Sequence, residues 1–529
     1  MTLRRQLGPG ITLAAVLALA AACTSNSESA KPVTENALPV GDRASCERLA
    51  GTRVSGTTID GAAYVEADGT VFEYKPFVLK APASFCRVTV SLTSGPGSDI
   101  KSEFWLPDTW NGKFVGVGGG GFNGSLSIAG VVLRSPLGKG YASAVTDAGH
   151  AMADGAAWAH NDPVRIADFG NRANHMAAVF SKELLAAYYG QAPKRSYFDG
   201  CSNGGRDALM LAQRYPDDFD GIVAGAPAAY WSDMSAAFIA NRNTLKVFGD
   251  TLGVKLQVVH DAVVAKCDAI DGVRDGVIER PGQCSFDPSE VQCKAGDTSA
   301  CLSKDEADAL RTIYQGHRLA DGSQVYPGFT VGSEMDAGGW RNTTAGTGTL
   351  GIEFYRWMVY GDPDWSPNTF DLNRDHAAGR ERVGPLVDAS NPDITAFTQK
   401  GGKLLLWHGW NDALIPADST IKYYQAVETQ LGAEAASSVR LFMAPGVNHC
   451  GGGDGPGNFD KLAEIDRWIE SGKPPVQIIA TKYDNELFYT AGLPAKPVRT
   501  RPLCVWPQTA HYSGAGSTDD AANFTCRAD

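Results

Sequence analysis

The chain has 529 residues, long for a single core, so it holds either one large domain with an insertion or two domains. Its hydrophobic content of 43% and charged content of 20% are those of an ordinary globular protein. A net charge of -12 with no basic stripe to offset it argues against nucleic acid and anionic membrane surfaces as partners, and leaves small neutral or acidic ligands open.

Arg4 and Arg5, the apolar run from Ile11 to Ala22 and the small residues before Cys23 read as a secretory signal over 1–22, too short to span a membrane as a helix. Cys23 follows Leu19-Ala20-Ala21-Ala22 directly, which resembles a bacterial lipobox, where that cysteine carries the lipid anchor. The alternative is plain secretion with Cys23 a bystander. The count of 11 cysteines supports export. With Cys23 set apart, Cys46, Cys86, Cys201, Cys267, Cys284, Cys293, Cys301, Cys450, Cys504 and Cys526 are available for bridges. Closeness in sequence suggests Cys267 with Cys284, Cys293 with Cys301, and Cys504 with Cys526. Residues 23–45, rich in Ser, Ala, Pro and Glu without periodicity, are expected to form a flexible tether.

A first part of the core begins at 46 and runs to 227. From Gly51 to Phe104, β-branched and aromatic residues between turn signals predict leading antiparallel strands. Lys113 to Val117 predicts a further strand that runs into the glycines 118–121. Such a cluster is commonly a mere flexible turn, but it can equally let backbone N–H groups approach a reacting oxygen, so Gly120 and Gly121 are candidate oxyanion donors. Gly140 to Asp147 reads as a buried strand. His150 and His160 follow without carboxylate or cysteine at ligand spacing, so they are expected to be structural. Asn174 to Tyr189 has helical spacing and stops at Gly190. Next comes the short apolar run Tyr197-Phe198 and then Gly200-Cys201-Ser202-Asn203-Gly204, with a helix-forming stretch directly after it. Strand, Gly-x-Ser-x-Gly and helix make a nucleophile elbow, with Ser202 as nucleophile and the N–H of Asn203 as the second oxyanion donor. Phe219 to Pro227 is another buried strand, and the strand–helix alternation predicts a mostly parallel α/β sheet.

From 228 to 387 the alternation stops, and four cysteines and many aromatic residues appear, which reads as an inserted lid. Trp231, Tyr326, Trp340, Phe354, Tyr355, Trp357, Tyr360 and Trp365 are expected mostly to form a small core of the lid itself. Inside it, Asp268, Asp271 and Asp275 are separated by glycine-containing turns and closed by Cys267 and Cys284. Such carboxylates can converge on a hard cation with six to eight oxygen ligands, which points to structural Ca²⁺; the bland alternative is a solvated acidic turn.

The α/β rhythm resumes in the second part of the core, 388–529. Asp412 ends the stretch that begins at Gly402, in the loop just past a buried strand, and His449 follows a second such strand, Val439 to Pro445, so both sit on loops past strand ends. Ser202, Asp412, His449 is the chain order of α/β-hydrolase triads. His408 and Asp418 are alternatives for the base and the orienting carboxylate.

Gly-Cys-Ser-x-Gly-Gly at 200–205, His-Gly-x-x-Asp at 408–412 and His449-Cys450-Gly451-Gly452-Gly453 resemble the tannase and feruloyl esterase family, which also contains the hydrolase of mono(2-hydroxyethyl) terephthalate. The resemblance extends over about residues 46–526, including Arg499-Thr500-Arg501-Pro502-Leu503-Cys504. It implies an α/β-hydrolase fold with a large lid and a Ser202–His449–Asp412 triad. It further implies a disulfide between Cys201 and Cys450, and lid calcium held by Asp268, Asp271, Asp275 and the carbonyls of Val273 and Val277. The implied activity is hydrolysis of esters of aromatic acids; the chain is expected to be exported and monomeric, attached to a membrane only if Cys23 carries lipid. Rivals are a terephthalate-type ester substrate, amide hydrolysis by the same triad, and a lipid-anchored binding protein without chemistry.

Overall fold

The computed structural model describes residues 41–528 except 76, 152–154, 297–300, 342, 344–348 and 491. The secretory signal, Cys23 and all but the end of the expected tether lie outside the described residues. Where description begins, Asp42 accepts a hydrogen bond from Ser45 N and caps a short helix, Arg43–Glu47. The described residues thus begin a little before the expected end of the tether, and Cys46 in this helix is bonded to Cys86.

Ten strands form one sheet: β1 (Arg53–Val54), β2 (Thr57–Val65), β3 (Phe85–Leu92), β4 (Ile100–Pro107), β5 (Lys113–Val117), β6 (Ala142–Thr146), β7 (Arg195–Cys201), β8 (Gly221–Gly225), β9 (Lys403–Gly409) and β10 (Val439–Ala444). Their order is β1-β2-β3-β4-β6-β5-β7-β8-β9-β10. Strands β1 to β4 pair antiparallel, as does β4 with β6, and every pair from β6 onward is parallel. β7 to β10 are buried almost without interruption. That is the signature of parallel strands covered on both faces.

Successive side chains on these strands point to opposite faces, so each strand feeds two cores. Leu404 and Leu406 of β9 join one apolar cluster while Leu405 and Trp407 join the other. Each fully buried leucine adds roughly 1.5–3 kcal/mol before chain entropy is charged against it. α1 (Ala173–Tyr189) covers one face and ends at Gly190 in the left-handed conformation (φ 75°), as its sequence predicts.

Between β8 and β9 the described residues add no strand to the sheet. α2 (Asn203–Arg214) leads from β7 to β8, and the residues between β8 and β9 form α3 (Trp231–Leu245), α4 (Gly249–Cys267), α5 (Lys304–Gln315), α6 (Leu372–Arg382) and shorter turns. After β9 come α7 (Ala417–Leu431) and, after β10, α8 (Lys461–Ser471). The aromatic residues of the insertion do not mostly form a core of their own. Trp340 does, packing with Phe329 and Tyr314. Trp231, Tyr326, Phe354, Tyr355 and Trp365 belong instead to the main cluster beneath the sheet. The reason is that α3 carries Trp231 directly onto Phe122 and Phe169, and residues 354–370 pack behind it.

Candidate active site

Ser202 sits between β7 and α2 with φ 65° and ψ −123°, a left-handed conformation a serine adopts only when its surroundings impose it. The imposition is steric. A Cβ on Gly200 would lie 2.4 Å from Gly204 O, and one on Gly205 would lie 2.4 Å from Gly225 O, so strand and helix close to a distance only glycine permits. The turn lifts the serine side chain off the sheet edge toward the loops after β9 and β10.

Those loops supply the partners. His449 Nε2 lies 2.9 Å from Ser202 Oγ, and His449 Nδ1 lies 2.6 Å from Asp412 Oδ2. Asp412 is fully buried and accepts the amides of Leu414 (2.8 Å) and Ile415 (2.7 Å) on Oδ1. Burial by itself would raise its pKa, but the charge of His449 and hydrogen bonds from His408 and His449 outweigh burial and hold this carboxyl well below the usual range. Burial likewise works against protonation of His449, and the charges of Asp412 and then Asp336 overcome it, leaving the imidazole raised above its ordinary value. Asp336 comes from the lid. Its carboxylate accepts Ala413 N at 3.0 Å, so the insertion braces the Asp412 loop from outside the sheet. Nothing in its sequence surroundings marks it.

The two alternatives find other places. His408 is buried behind Asp412, with Nε2 3.1 Å from Asp412 Oδ2, and does not take the position next to Ser202. Asp418 stands at the exposed start of α7. His150 stacks on Trp158 with centroids 3.7 Å apart and is pushed down to about 4 by burial, and His160 Nε2 bonds Gly361 O.

The glycine loop after β5 passes over the elbow so closely that a Cβ on Gly118 would lie 2.5 Å from Gly204 Cα. Gly118 N donates to Asp199 O, and Gly119 N bonds the Asp207 carboxylate. Among the described residues the amides of Gly120 and Gly121 donate to no protein acceptor, and Asn203 N, at the first position of α2, has no intrahelical one. Those three are the amides the sequence singles out.

Arg206 is a feature the sequence does not disclose. It is fully buried, donates to Asn203 Oδ1 (2.7 Å), Gly170 O (2.6 Å), Phe169 O (2.9 Å) and Asp207 Oδ1 (2.8 Å), and lies over the rings of Phe169 and Trp231. It pins the start of α2 to the helix-rich layer and so fixes the turn that carries Ser202.

All ten described cysteines are bonded: Cys46–Cys86, Cys201–Cys450, Cys267–Cys284, Cys293–Cys301 and Cys504–Cys526. Cys201–Cys450 joins the residue before Ser202 to the residue after His449.

In the lid loop, Asp268 Oδ1 accepts the amides of Asp275 and Gly276, Asp271 Oδ1 that of Val273, and Asp275 Oδ1 that of Val277. Asp275 Oδ2 also pairs with Arg501 at 2.6 Å, and Arg499 Nη1 donates to Asp275 O. Burial, and behind it the neighbouring carboxylates of Asp275 and Asp268, push Asp271 up to about 6. Crowded acidic oxygens of this kind fit a hard cation. No three His, Cys, Asp or Glu side chains among the described residues converge as ready metal ligands, so main-chain carbonyls would have to complete a coordination shell.

A doubly covered sheet, a strained serine at a strand–helix turn, and an aspartate and a histidine on the loops after β9 and β10 define an α/β hydrolase. The family model for tannase and feruloyl esterase matches residues 86–527. The chain belongs to this family and is a carboxylic ester hydrolase. It is 32% identical to the mono(2-hydroxyethyl) terephthalate hydrolase of Piscinibacter sakaiensis, over 93% of each chain. It is also 32% identical to a probable feruloyl esterase of Arthroderma benhamiae, over 93% of this chain and 95% of that one. Among solved structures, feruloyl esterase B from Aspergillus oryzae superposes with a TM-score of 0.82 at 28% identity, covering 92% of this chain and 100% of the other.

Proposed function

We propose that the protein hydrolyses esters of aromatic acids through an acyl-enzyme on Ser202. The observation that carries this is the hydrogen-bond path Ser202 Oγ–His449 Nε2 and His449 Nδ1–Asp412 Oδ2, at 2.9 and 2.6 Å, on a serine held in a strained turn. His449 takes the hydroxyl proton as Oγ attacks the ester carbonyl. Asp412 stabilises the imidazolium, and the amides of Asn203, Gly120 and Gly121 receive the charge that develops on the carbonyl oxygen. His449 returns the proton to the departing alkoxide, then takes one from a water molecule as that water attacks the acyl carbonyl, and passes it to Ser202 Oγ as the acid leaves. Since His449 must be neutral to act, turnover rises with pH through its raised pKa.

The substrate reading is a hydroxycinnamate or gallate ester with its ring beneath the lid. It is supported by family membership and by the feruloyl esterase relatives. The Piscinibacter relative favours a second reading, a terephthalate monoester. A panel of feruloyl, galloyl and terephthaloyl esters tests both, with kcat/KM expected to be highest on one of the first two. A clear preference for the terephthaloyl ester would move the assignment to the second reading, and preference for short aliphatic esters would sink both. An anilide matched to the best ester should be turned over far more slowly.

The protein is exported, in keeping with its five bridges, which form and persist in oxidising compartments. Asp268, Asp271 and Asp275 with the carbonyls of Val273 and Val277 would hold Ca²⁺ without bringing it into the chemistry, and Asp275 in turn ties this loop to Arg501 and Arg499 of the core. Chelation should therefore lower Tm; a ligand present at a hundred times its Kd contributes about 2.7 kcal/mol. A melting curve that chelator leaves unmoved would reduce the loop to a plain acidic turn.

A further inference from the structure

The carboxylate of Asp412 is saturated with donors. Leu414 N and Ile415 N occupy Oδ1, and His449 Nδ1 and His408 Nε2 occupy Oδ2. A carboxylate offers about four acceptor directions, so none is left for water or rotation. Two of the donors are amides of its own loop and one is the base. The fourth, His408, is a fully buried residue of β9 with no part in the reaction as described so far.

Its protonation pattern follows from its partners. Nε2 faces two acceptors, Asp412 Oδ2 at 3.1 Å and Ile415 O at 2.8 Å, so the ring proton belongs on Nε2. Nδ1 is then the acceptor, and the hydroxyl of Thr420, buried in α7, donates to it across 2.7 Å. Thr420 to His408 to Asp412 is thus a chain in which every hydrogen has one direction. It meets the chain from Ser202 through His449 at the same oxygen. The charged groups facing these rings are Asp412 and Asp418 for His408, and Asp412 and Asp336 for His449.

We propose that His408 is a positioning residue for ester hydrolysis, holding Asp412 Oδ2 in register with His449 and drawing off part of its charge. This rests on Ser202, His449 and Asp412 acting as proposed above. A histidine kept only to fill the core would stabilise the fold and leave the chemistry of the folded protein alone. His408 should instead set both the rate and the pH at which His449 gives up its proton.

The test compares His408→Leu, His408→Gln and Ser202→Ala on a p-nitrophenyl ester, with melting curves for each. His408→Leu should lower kcat about 10–100-fold, the usual effect of removing an outer hydrogen bond to a functional ligand, with KM little changed. The acid limb of its pH profile should move to higher pH, because Asp412 without the His408 donor attracts the imidazolium more strongly. His408→Gln carries two amide hydrogens that can reach Asp412 and Ile415 O, and should recover most of the rate and the limb. A folded His408→Leu with wild-type kcat and pH profile, or a Gln variant no better than Leu, overturns the proposal. If His408→Leu does not fold, Thr420→Val against Thr420→Ser decides. Val removes only the hydroxyl that orients the ring, so kcat well below that of Ser is expected and equality overturns the role. Should Ser202→Ala itself turn over normally, the underlying triad reading fails; if it is inactive while the His408 variants are unaffected, this inference alone falls.

Discussion

Ser202→Ala should abolish ester turnover and leave the fold as it is. Removing a member of such a triad typically costs on the order of 10⁴ to 10⁶ in rate. The structure explains why stability should not follow. The left-handed backbone at 202 is imposed by Gly200, Gly204 and Gly205, and an alanine there carries the same Cβ and the same strain as a serine. What the side chain loses is its hydrogen bond to His449, a contact with a net value of roughly 0.5–1.5 kcal/mol in folding. A purified variant that melts like the wild type and is inactive on every ester of the panel is the expected result. Turnover near the wild-type rate would remove Ser202 from the mechanism.

The residues that the sequence places well are those whose signals are local. Ser202 stands in a pentapeptide between a strand and a helix. Asp412 and His449 each follow an apolar run, and the chain order of the three does the rest. Gly190 stops α1 because left-handed backbone there suits glycine, and that too is a local property. Bridges between sequence neighbours, such as Cys267–Cys284, come under the same heading. What could not be read depends on distant chain segments. Arg206 looks like a solvated arginine on an amphipathic helix, but its acceptors lie on carbonyls 36 and 37 residues upstream, and a further contact reaches Val387 O, 181 residues downstream. Asp336 meets the Asp412 loop from 77 residues away. The aromatic residues of the insertion were expected in a separate small core because they cluster in sequence; α3 instead folds Trp231 back against Phe122, and most of them extend the main core. Local patterns reveal which residues sit at strand ends, and only tertiary packing reveals what presses on them.

Replacing Cys201 and Cys450 together by alanine should remove most activity and a good part of the stability. The bridge joins residues 249 apart in sequence, with Cα atoms 6.0 Å apart. In the chain-entropy model, closing so long a loop is worth about 5 kcal/mol, an upper figure because any distortion of the native structure subtracts from it. That is a large share of the 5–15 kcal/mol by which domains are typically stable. The effect on activity has a separate cause. Cys201 precedes the nucleophile and Cys450 follows the base, and Cys450 itself is held at φ 61°, so the bridge spans the 2.9 Å hydrogen bond between them with one residue on either side. Without it, the Ser202 turn is still fixed by its glycines and Arg206, and the Asp412 carboxylate by its four donors, but among the described residues the His449 loop keeps only that hydrogen bond and apolar packing to hold it against the elbow. Misplacement of a reacting group by about 1 Å can cost on the order of 10²-fold in rate. The double variant should therefore melt earlier and show a lower kcat even well below its own Tm, where it is folded. Thiol titration of the unfolded, unreduced wild-type protein should find neither cysteine free. Free thiols at both positions in a fully active enzyme would rule the clamp out, and a variant that loses Tm but keeps wild-type kcat at low temperature would confine the bridge to stability.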